Sequence, residues 1–268
     1  MRPLFINQKT PLIVGSIRRK TVEEAISDIK FSEQEGAKAF IIHLQFLEQK
    51  YQNFESFKQI FDATECPVMP LYYRPGDAKP KDTDDKRLKL QLEGVRAGGC
   101  GIDLRADAFD MDAAISLENC KLPFAKAMPK EFSMNADCIE KQKKIIEEVH
   151  FFGAEVLMST HVQTELSCEQ TVSLALEIQS RGADIVKIVT TCDSYKHAMD
   201  MLNTVVELKK SLNVPFLYHC QGEYGKLVRP IAPLLGAMLV FGHYDYHELA
   251  NPQKPLIKDM HSLYNIIK

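Results

Sequence analysis

The sequence lacks the features that mark nucleic-acid-binding and membrane proteins. Its 268 residues hold 33 Lys and Arg against 36 Asp and Glu, a formal net charge of -3 with no basic excess for phosphate binding. No apolar run approaches the roughly 18 residues of a membrane-spanning helix. Because MRPLFINQKT has no long apolar core before a small-residue cleavage site, we expect no signal peptide. We therefore expect neither a nucleic acid nor a membrane as a partner.

The sequence also lacks paired cysteine motifs. It contains seven cysteines, an odd number, and no CxxC pair. This usage predicts neither a disulfide framework nor a structural zinc site, and it favours a reducing, cytoplasmic setting. Cys220 lies beside His219, but a buried structural thiol is the more typical state of such a cysteine.

What the sequence does contain is a repeated alternation of short apolar runs and amphipathic segments. Thr21 and Glu24 form a capping box that predicts the start of a helix, and Gly36 predicts its end. Ser167 and Gln170 repeat this pattern. We predict eight strands between such helices, at 11–17, 39–44, 67–73, 101–105, 155–161, 184–189, 215–220 and 237–241.

This alternation predicts an α/β protein with parallel strands. Strand starts lie roughly 30 residues apart, the size of one βαβ unit, except across a probable insertion at 107–134. Eight units favour a single (β/α)8 TIM barrel over residues 1–268. An open doubly wound sheet is the alternative, but a glycine-rich turn is missing after the first strand.

Functional residues of such a barrel lie at the carboxyl ends of its strands. Lys187 lies inside the apolar strand GADIVKIVTT. It is either an edge residue that reaches solvent or a desolvated amine, kept neutral, that attacks a carbonyl. His161 ends the preceding strand, where it could move protons near neutral pH. Arg229 follows a glycine turn and is either a surface residue or a carboxylate-binding residue at a helix start.

The run MSTHVQTELSCEQTVSLALEIQSRGADIVKI resembles the type I 3-dehydroquinate dehydratase family. The pattern GxxGxxxR that ends at Arg229 resembles that family's segment after strand seven. The resemblance implies that Lys187 forms an imine with a substrate ketone and that His161 is the general acid and base. It also implies that Arg229 binds the substrate carboxylate. Further substrate-binding residues implied by the resemblance are Arg74, Ser16, Asp103 and Gln253.

Two strands depart from the family pattern. The charged cluster of strand two is replaced by Ile41, His43 and Gln45, and Arg105 reverses a charge on strand four. We include His43 and Arg105 among the predicted substrate-binding residues. The expected function is dehydration of 3-dehydroquinate or a related β-hydroxy keto acid, with no metal, no cofactor and a possible homodimer. The alternatives are a Schiff-base lyase or aldolase acting on another keto acid or keto sugar, or a non-catalytic ligand-binding barrel.

Two further groups of residues are weaker candidates. His219, His243 and His247, with Asp245 nearby, could bind a metal, although the resemblance implies none. The pair Arg18-Arg19 could bind phosphate, but an exposed surface turn is the favoured interpretation.

Overall fold

A computed structural model describes residues 4–73, 83–110, 132–162 and 165–267. Along these residues, eight β-strands alternate with eight α-helices. The strands are β1 (Leu12–Ile17), β2 (Ala39–His43), β3 (Val68–Leu71), β4 (Gly101–Arg105), β5 (Glu155–His161), β6 (Ile185–Thr191), β7 (Phe216–Gln221) and β8 (Leu239–Gly242). The α-helices are α1 (Val22–Gln34), α2 (Phe54–Phe61), α3 (Asp84–Arg96), α4 (Ala136–Phe151), α5 (Cys168–Ser180), α6 (Tyr195–Ser211), α7 (Gly225–Ile231) and α8 (Ile257–Ile267).

The chain divides into two compact units. Unit 1 comprises Met1–Asp103, Val149–Glu155 and Val240–Lys268, and unit 2 comprises Leu104–Glu148 and Val156–Leu239. One sheet has the order β3-β2-β1-β8 and the other has the order β4-β5-β6-β7. Pairs β1–β2, β2–β3, β5–β6 and β6–β7 are parallel. The α/β prediction is therefore confirmed, while the closing of all eight strands into one barrel stays a prediction.

The strands form where the sequence predicts them. Each one lies in an apolar run, and residues that favour turns separate these runs. All residues of β1, β2, β3 and β8 are buried, as is typical of parallel strands covered on both faces. The described helices include none with both the length and the apolar character of a membrane span. The probable insertion at 107–134 lies mostly outside the described residues, which resume at position 132.

Local capping signals set the helix ends as predicted. The Thr21 hydroxyl accepts a hydrogen bond from the Glu24 backbone at 3.2 Å, and the Glu24 carboxylate accepts one from the Thr21 backbone. Ser167 and Gln170 form the same capping box at α5. Gly36, with φ of 108°, follows α1 in the left-handed region that glycine adopts without strain.

Arg181 links both sides of the segment between β4 and α4 inside unit 2. Its guanidinium is buried, and Nη1 donates hydrogen bonds to the Ala106 carbonyl and to Gln142 Oε1, both at 3.0 Å. Nη2 donates to the Ser133 carbonyl at 2.7 Å. The Arg181 Cζ atom lies 4.3 Å from the centroid of the Phe132 ring. This arginine is therefore a structural residue rather than a candidate for binding a ligand.

Replacing Arg181 by Met should lower the free energy of unfolding by about 3 kcal/mol, because the side chain retains volume but leaves buried oxygens without a donor. Chemical denaturation measures the effect. The matched control is Lys143→Met on α4, where the exposed amine pairs with Glu140 and its loss should change stability by less than about 0.5 kcal/mol. Equal stability of the two variants would contradict the structural role of Arg181.

Candidate active site

Lys187 lies in the interior of a sheet rather than at its edge. It is on β6, which pairs with β5 on one side and β7 on the other. Its direct neighbours in register are Ser159 and Leu217. The residue is only 4% exposed. The alternative of an edge lysine that reaches solvent is therefore wrong, and a buried amine is what the structure contains.

The helices of unit 2 cover the opposite face of this sheet. Thr190 Oγ1 lies 3.9 Å from Met201 Sδ of α6. Tyr218 lies near Thr171 of α5; burial raises the pKa of Tyr218 to about 12, and the hydrogen bond of Thr171 lowers that pKa. In the register of β6 and β7, Tyr218 and Thr190 lie two positions apart, so their side chains point to the same face of the sheet. Lys187 alternates with these residues and so belongs to the face turned away from the helices.

His161 shares the face of Lys187. It is the last residue of β5, in register with Val189 and two residues beyond Ser159. Since alternate residues of a strand point to the same side, His161 is a diagonal neighbour of Lys187. His219, in register with Val189 from β7, belongs to the same face. The structure therefore brings together the lysine and the histidine that the sequence singled out, both within unit 2.

Arg229 is buried on a short helix, and its position in the helix and its exposure both differ from the prediction. It is the fifth residue of α7 rather than a residue at the helix start. The prediction that a helix N-terminus beside Arg229 favours an anion is therefore wrong. Arg229 is 4% exposed, so the surface alternative is also wrong. Burial lowers the pKa of Arg229 to about 10, and the nearby Cys220 acts in the opposite direction. The guanidinium stays charged at neutral pH, and its buried Nε has no hydrogen-bond partner among the described residues.

Two glycines allow α7 to pack this closely. A Cβ atom on Gly222 would lie 2.7 Å from the Cys192 carbonyl oxygen, and one on Gly225 would lie 2.5 Å from the Cys220 carbonyl oxygen. Gly222 also has φ of 97°. Any larger residue would displace the helix from β7 and carry Arg229 with it.

In unit 1, residues at the strand ends form a hydrogen-bonded group. Ser16 Oγ of β1 lies 3.1 Å from His43 Nε2 of β2, and Lys254 Nζ donates a hydrogen bond to Ser16 Oγ at 2.6 Å. All three side chains are buried. Lys254 was not predicted from the sequence, because a lysine between Gln253 and Pro255 in a polar loop is expected to be solvated.

The other predicted substrate-binding residues have varied partners. Tyr73 donates a hydrogen bond from its hydroxyl to Asp103 at 2.6 Å. The Arg105 guanidinium donates to both carboxylate oxygens of buried Asp107, at 2.9 and 3.0 Å. Gln253 Oε1 is buried and has no hydrogen-bond partner among the described residues. Arg74 lies outside the described residues. The binding roles of these residues stay predictions.

The suggested metal ligands of unit 1 already have partners. His243 Nε2 accepts a hydrogen bond from the Asn251 backbone, and His247 Nδ1 accepts one from the Leu249 backbone. Asp245 pairs with Arg19 at 2.6 Å.

A different group in unit 2 brings possible metal-ligand atoms within 4.8 Å of one another, and its members are Glu165, Asp193 and His197. His197 Nδ1 lies 2.7 Å from a Glu165 oxygen, so these two form an ion pair when the imidazole is protonated.

A family model described as type I 3-dehydroquinase matches residues 13–268. The chain belongs to this family. The match begins in β1 and continues through α8, so membership extends well beyond the segments that first suggested it.

Curated relatives differ in how much of their length this chain covers. A bifunctional 3-dehydroquinate dehydratase/shikimate dehydrogenase of Arabidopsis thaliana is 26% identical over 258 residues, which is 95% of this chain and 37% of that protein. A 3-dehydroquinate dehydratase of Clostridium kluyveri is 31% identical over 105 residues, 38% of this chain and 41% of that protein. One from Methanosarcina acetivorans is 26% identical over 273 residues, with 98% of each chain covered.

Solved structures of dehydratases have the same fold. The type I 3-dehydroquinate dehydratase of Clostridium difficile aligns with a TM-score of 0.74 and 18% identity, covering 98% of this chain and 94% of that one. The 3-dehydroquinate dehydratase of Geobacillus kaustophilus also gives 0.74, at 15% identity, covering 98% and 93%. These likenesses confirm an α/β fold of parallel strands and helices like that of the dehydratases.

Cys220 should not react with iodoacetamide near pH 8 in the folded protein. The thiol is buried, which raises its pKa to about 12 and suppresses the thiolate. Cys168, exposed at the first turn of α5, is the internal control that should be alkylated. Peptide mass spectrometry before and after unfolding measures both residues, and modification of Cys220 in the folded state would show that the thiol is accessible.

Proposed function

We propose that this protein is a carbon–oxygen lyase of the type I 3-dehydroquinate dehydratase kind. Its substrate is a β-hydroxy ketone that carries a carboxylate, with 3-dehydroquinate as the first choice. The observation that carries the proposal is the buried Lys187 in the middle of a sheet with His161 beside it on the same face. Family membership and the names of the relatives support the choice of substrate.

The proposed reaction passes through an imine on Lys187. The neutral amine attacks the ketone carbon, and the ketone oxygen leaves as water. His161 then takes the proton from the α-carbon, and the imine accepts the electron pair. The β-hydroxyl leaves as water with a proton returned by His161, and a further water hydrolyses the imine to release product and lysine. These steps need no metal and no redox cofactor.

The environment of Lys187 favours the neutral amine that this step requires. A lysine that titrates near pH 7 instead of about 10.4 needs roughly 4–5 kcal/mol of bias from its surroundings. Lys187 is 4% exposed, and burial disfavours the charged form of an amine by desolvation. His161 is partly exposed at the end of β5, where protons exchange with solvent.

Arg229 is proposed to bind the substrate carboxylate. A buried guanidinium with an Nε that lacks a hydrogen-bond partner among the described residues is suited to an oxyanion ligand. We propose Ser16, His43, Asp103, Arg105, Gln253 and Arg74 as further substrate-binding residues. A cytoplasmic location and a homodimer belong to the same proposal.

A second candidate function keeps the imine and changes the substrate. On β2 the family's charged cluster is replaced by His43, which lies against Ser16, so the hydroxyl-binding chemistry of this position differs. This observation favours a Schiff-base lyase or aldolase that acts on another keto acid or keto sugar.

Borohydride reduction in the presence of 3-dehydroquinate should attach the substrate carbon skeleton to Lys187, because hydride converts the imine to a stable secondary amine. Mass spectrometry of the digested protein locates the adduct. Lys187→Ala should form no adduct, because it lacks the amine, and should keep its melting temperature, because a buried amine is costly to desolvate. A collapsed melting temperature would assign Lys187 to the core instead.

The same trapping experiment separates the alternatives. An adduct with other keto acids but not with 3-dehydroquinate supports the second candidate. Tight binding of 3-dehydroquinate without adduct or product supports a non-catalytic ligand-binding protein. Absence of any adduct on Lys187 across a panel of keto acids and keto sugars overturns the imine mechanism.

Arg229→Ala should raise KM through a loss of about 2–5 kcal/mol of carboxylate binding, if the ion pair is desolvated. Steady-state kinetics with 3-dehydroquinate measures the change. Lys226→Ala on the same helix removes an exposed charge and is the matched control, with KM expected to stay the same. Equal KM values for Arg229→Ala and the unmodified protein would exclude carboxylate binding by this residue.

A further inference from the structure

Unit 2 contains a group of possible metal ligands that the proposed imine chemistry does not use. Glu165 precedes α5, Asp193 lies between β6 and α6, and His197 is the third residue of α6. We call these three residues the Glu165 cluster. One ligand atom from each lies within 4.8 Å of the other two. All three residues belong to unit 2, so the cluster is contained in one compact part of the chain.

His197 is the member of the Glu165 cluster that lies inside the protein. It is 7% exposed, and both of its ring nitrogens are buried without a hydrogen-bond partner among the described residues. Its backbone N–H donates to Ser194 Oγ at the start of α6, at 3.1 Å, which holds the residue in place. A buried imidazole without hydrogen bonds costs stability unless another group binds it. His197 is therefore the observation that points to a ligand.

The Glu165 carboxylate lies beside this imidazole. His197 Nδ1 is 2.7 Å from a Glu165 oxygen, and His197 Nε2 has no hydrogen-bond partner among the described residues. Ligand atoms about 2.1 Å from one zinc ion lie roughly 3 Å from each other. The separation of this nitrogen and this oxygen is therefore close to that of two ligands of one metal ion.

The two carboxylates of the cluster are held against each other. The hydrogen bond between Glu165 and Asp193 raises the pKa of Glu165, burial and the Asp193 charge act in the same direction, and His197 opposes the shift. Two carboxylates in contact repel each other unless a proton or a cation is shared between them. In the described part of the chain, neither carboxylate forms an ion pair with a lysine or an arginine. A divalent cation at this point relieves the repulsion and also supplies the partner that the imidazole lacks.

We propose that the Glu165 cluster binds one first-row divalent metal ion, for which Zn²⁺ is the probe. Carboxylate oxygens and an imidazole nitrogen are ligands that Zn²⁺ takes, whereas Mg²⁺ and Ca²⁺ prefer oxygen alone. Three protein ligands leave a coordination position for water. The ion joins the segment before α5 to the start of α6 and so stabilises unit 2. This site goes beyond the proposed lyase function, whose steps use no metal.

Titration calorimetry with Zn²⁺ tests the site on the full chain after dialysis against a chelator. The unmodified protein should bind a single Zn²⁺. Each of Glu165→Gln, Asp193→Asn and His197→Gln should weaken binding at least about ten-fold, because each removes a ligand. Mg²⁺ should bind at least about ten-fold more weakly than Zn²⁺, because Mg²⁺ gains little from the imidazole nitrogen. Zn²⁺ should also raise the Tm of the unmodified protein and leave the Tm of these variants unchanged.

Two control variants separate the cluster from the surrounding surface. Asp200→Asn removes an exposed carboxylate on α6, three residues after His197. Cys168→Ser removes an exposed thiol at the first turn of α5, which could itself attract Zn²⁺. Both variants should bind Zn²⁺ as the unmodified protein does.

Several outcomes overturn the proposal. These are no saturable Zn²⁺ binding, equal losses in Asp193→Asn and Asp200→Asn, loss of binding in Cys168→Ser, and Mg²⁺ binding as tight as that of Zn²⁺. If His197→Gln does not fold, Glu165→Gln and Asp193→Asn decide, because both of these residues are exposed. The titration uses no keto substrate, so its failure is distinguishable from failure of the lyase chemistry.

Discussion

Burial of the parallel strands is the constraint on which the rest of this structure depends. The strands of the first sheet are buried along their whole length, and β5, β6 and β7 are buried up to their final residue. A polar group inside such a strand must find a hydrogen-bond partner or lose stability. Polar and ionisable side chains therefore concentrate at strand ends, and the few inside a strand, Lys187 above all, stand out against an apolar background.

Each unit meets this constraint in its own way. Unit 2 places the lysine and the histidine on the sheet face away from its helices, with Arg229 buried on the short helix after β7. Unit 1 joins side chains that are far apart in the chain into a hydrogen-bonded group around Ser16. The first arrangement is the one that the proposed proton transfer and attack on a carbonyl use.

The buried and half-buried arginines show how contacts separate structural from functional residues. Arg181 donates to the Ala106 and Ser133 carbonyls and to Gln142 Oε1, and Arg105 donates to both carboxylate oxygens of Asp107. Arg18 and Arg229 each keep a buried Nε that has no partner among the described residues. A guanidinium whose donors all have partners stabilises the fold, whereas a desolvated one with an unpartnered Nε is a candidate for binding a ligand.

The sequence by itself determined the strands, the capped helices and the neighbouring positions of Lys187 and His161. These features depend on local patterns, namely apolar runs, capping boxes and the fixed alternation of adjacent strands. Only the tertiary structure decided the burial of Arg229, which depends on the close packing that Gly222 and Gly225 permit. It also decided the contact of Lys254 with Ser16, which joins residues 238 positions apart. Local pattern cannot specify such pairs, because which distant side chains meet depends on how the elements pack.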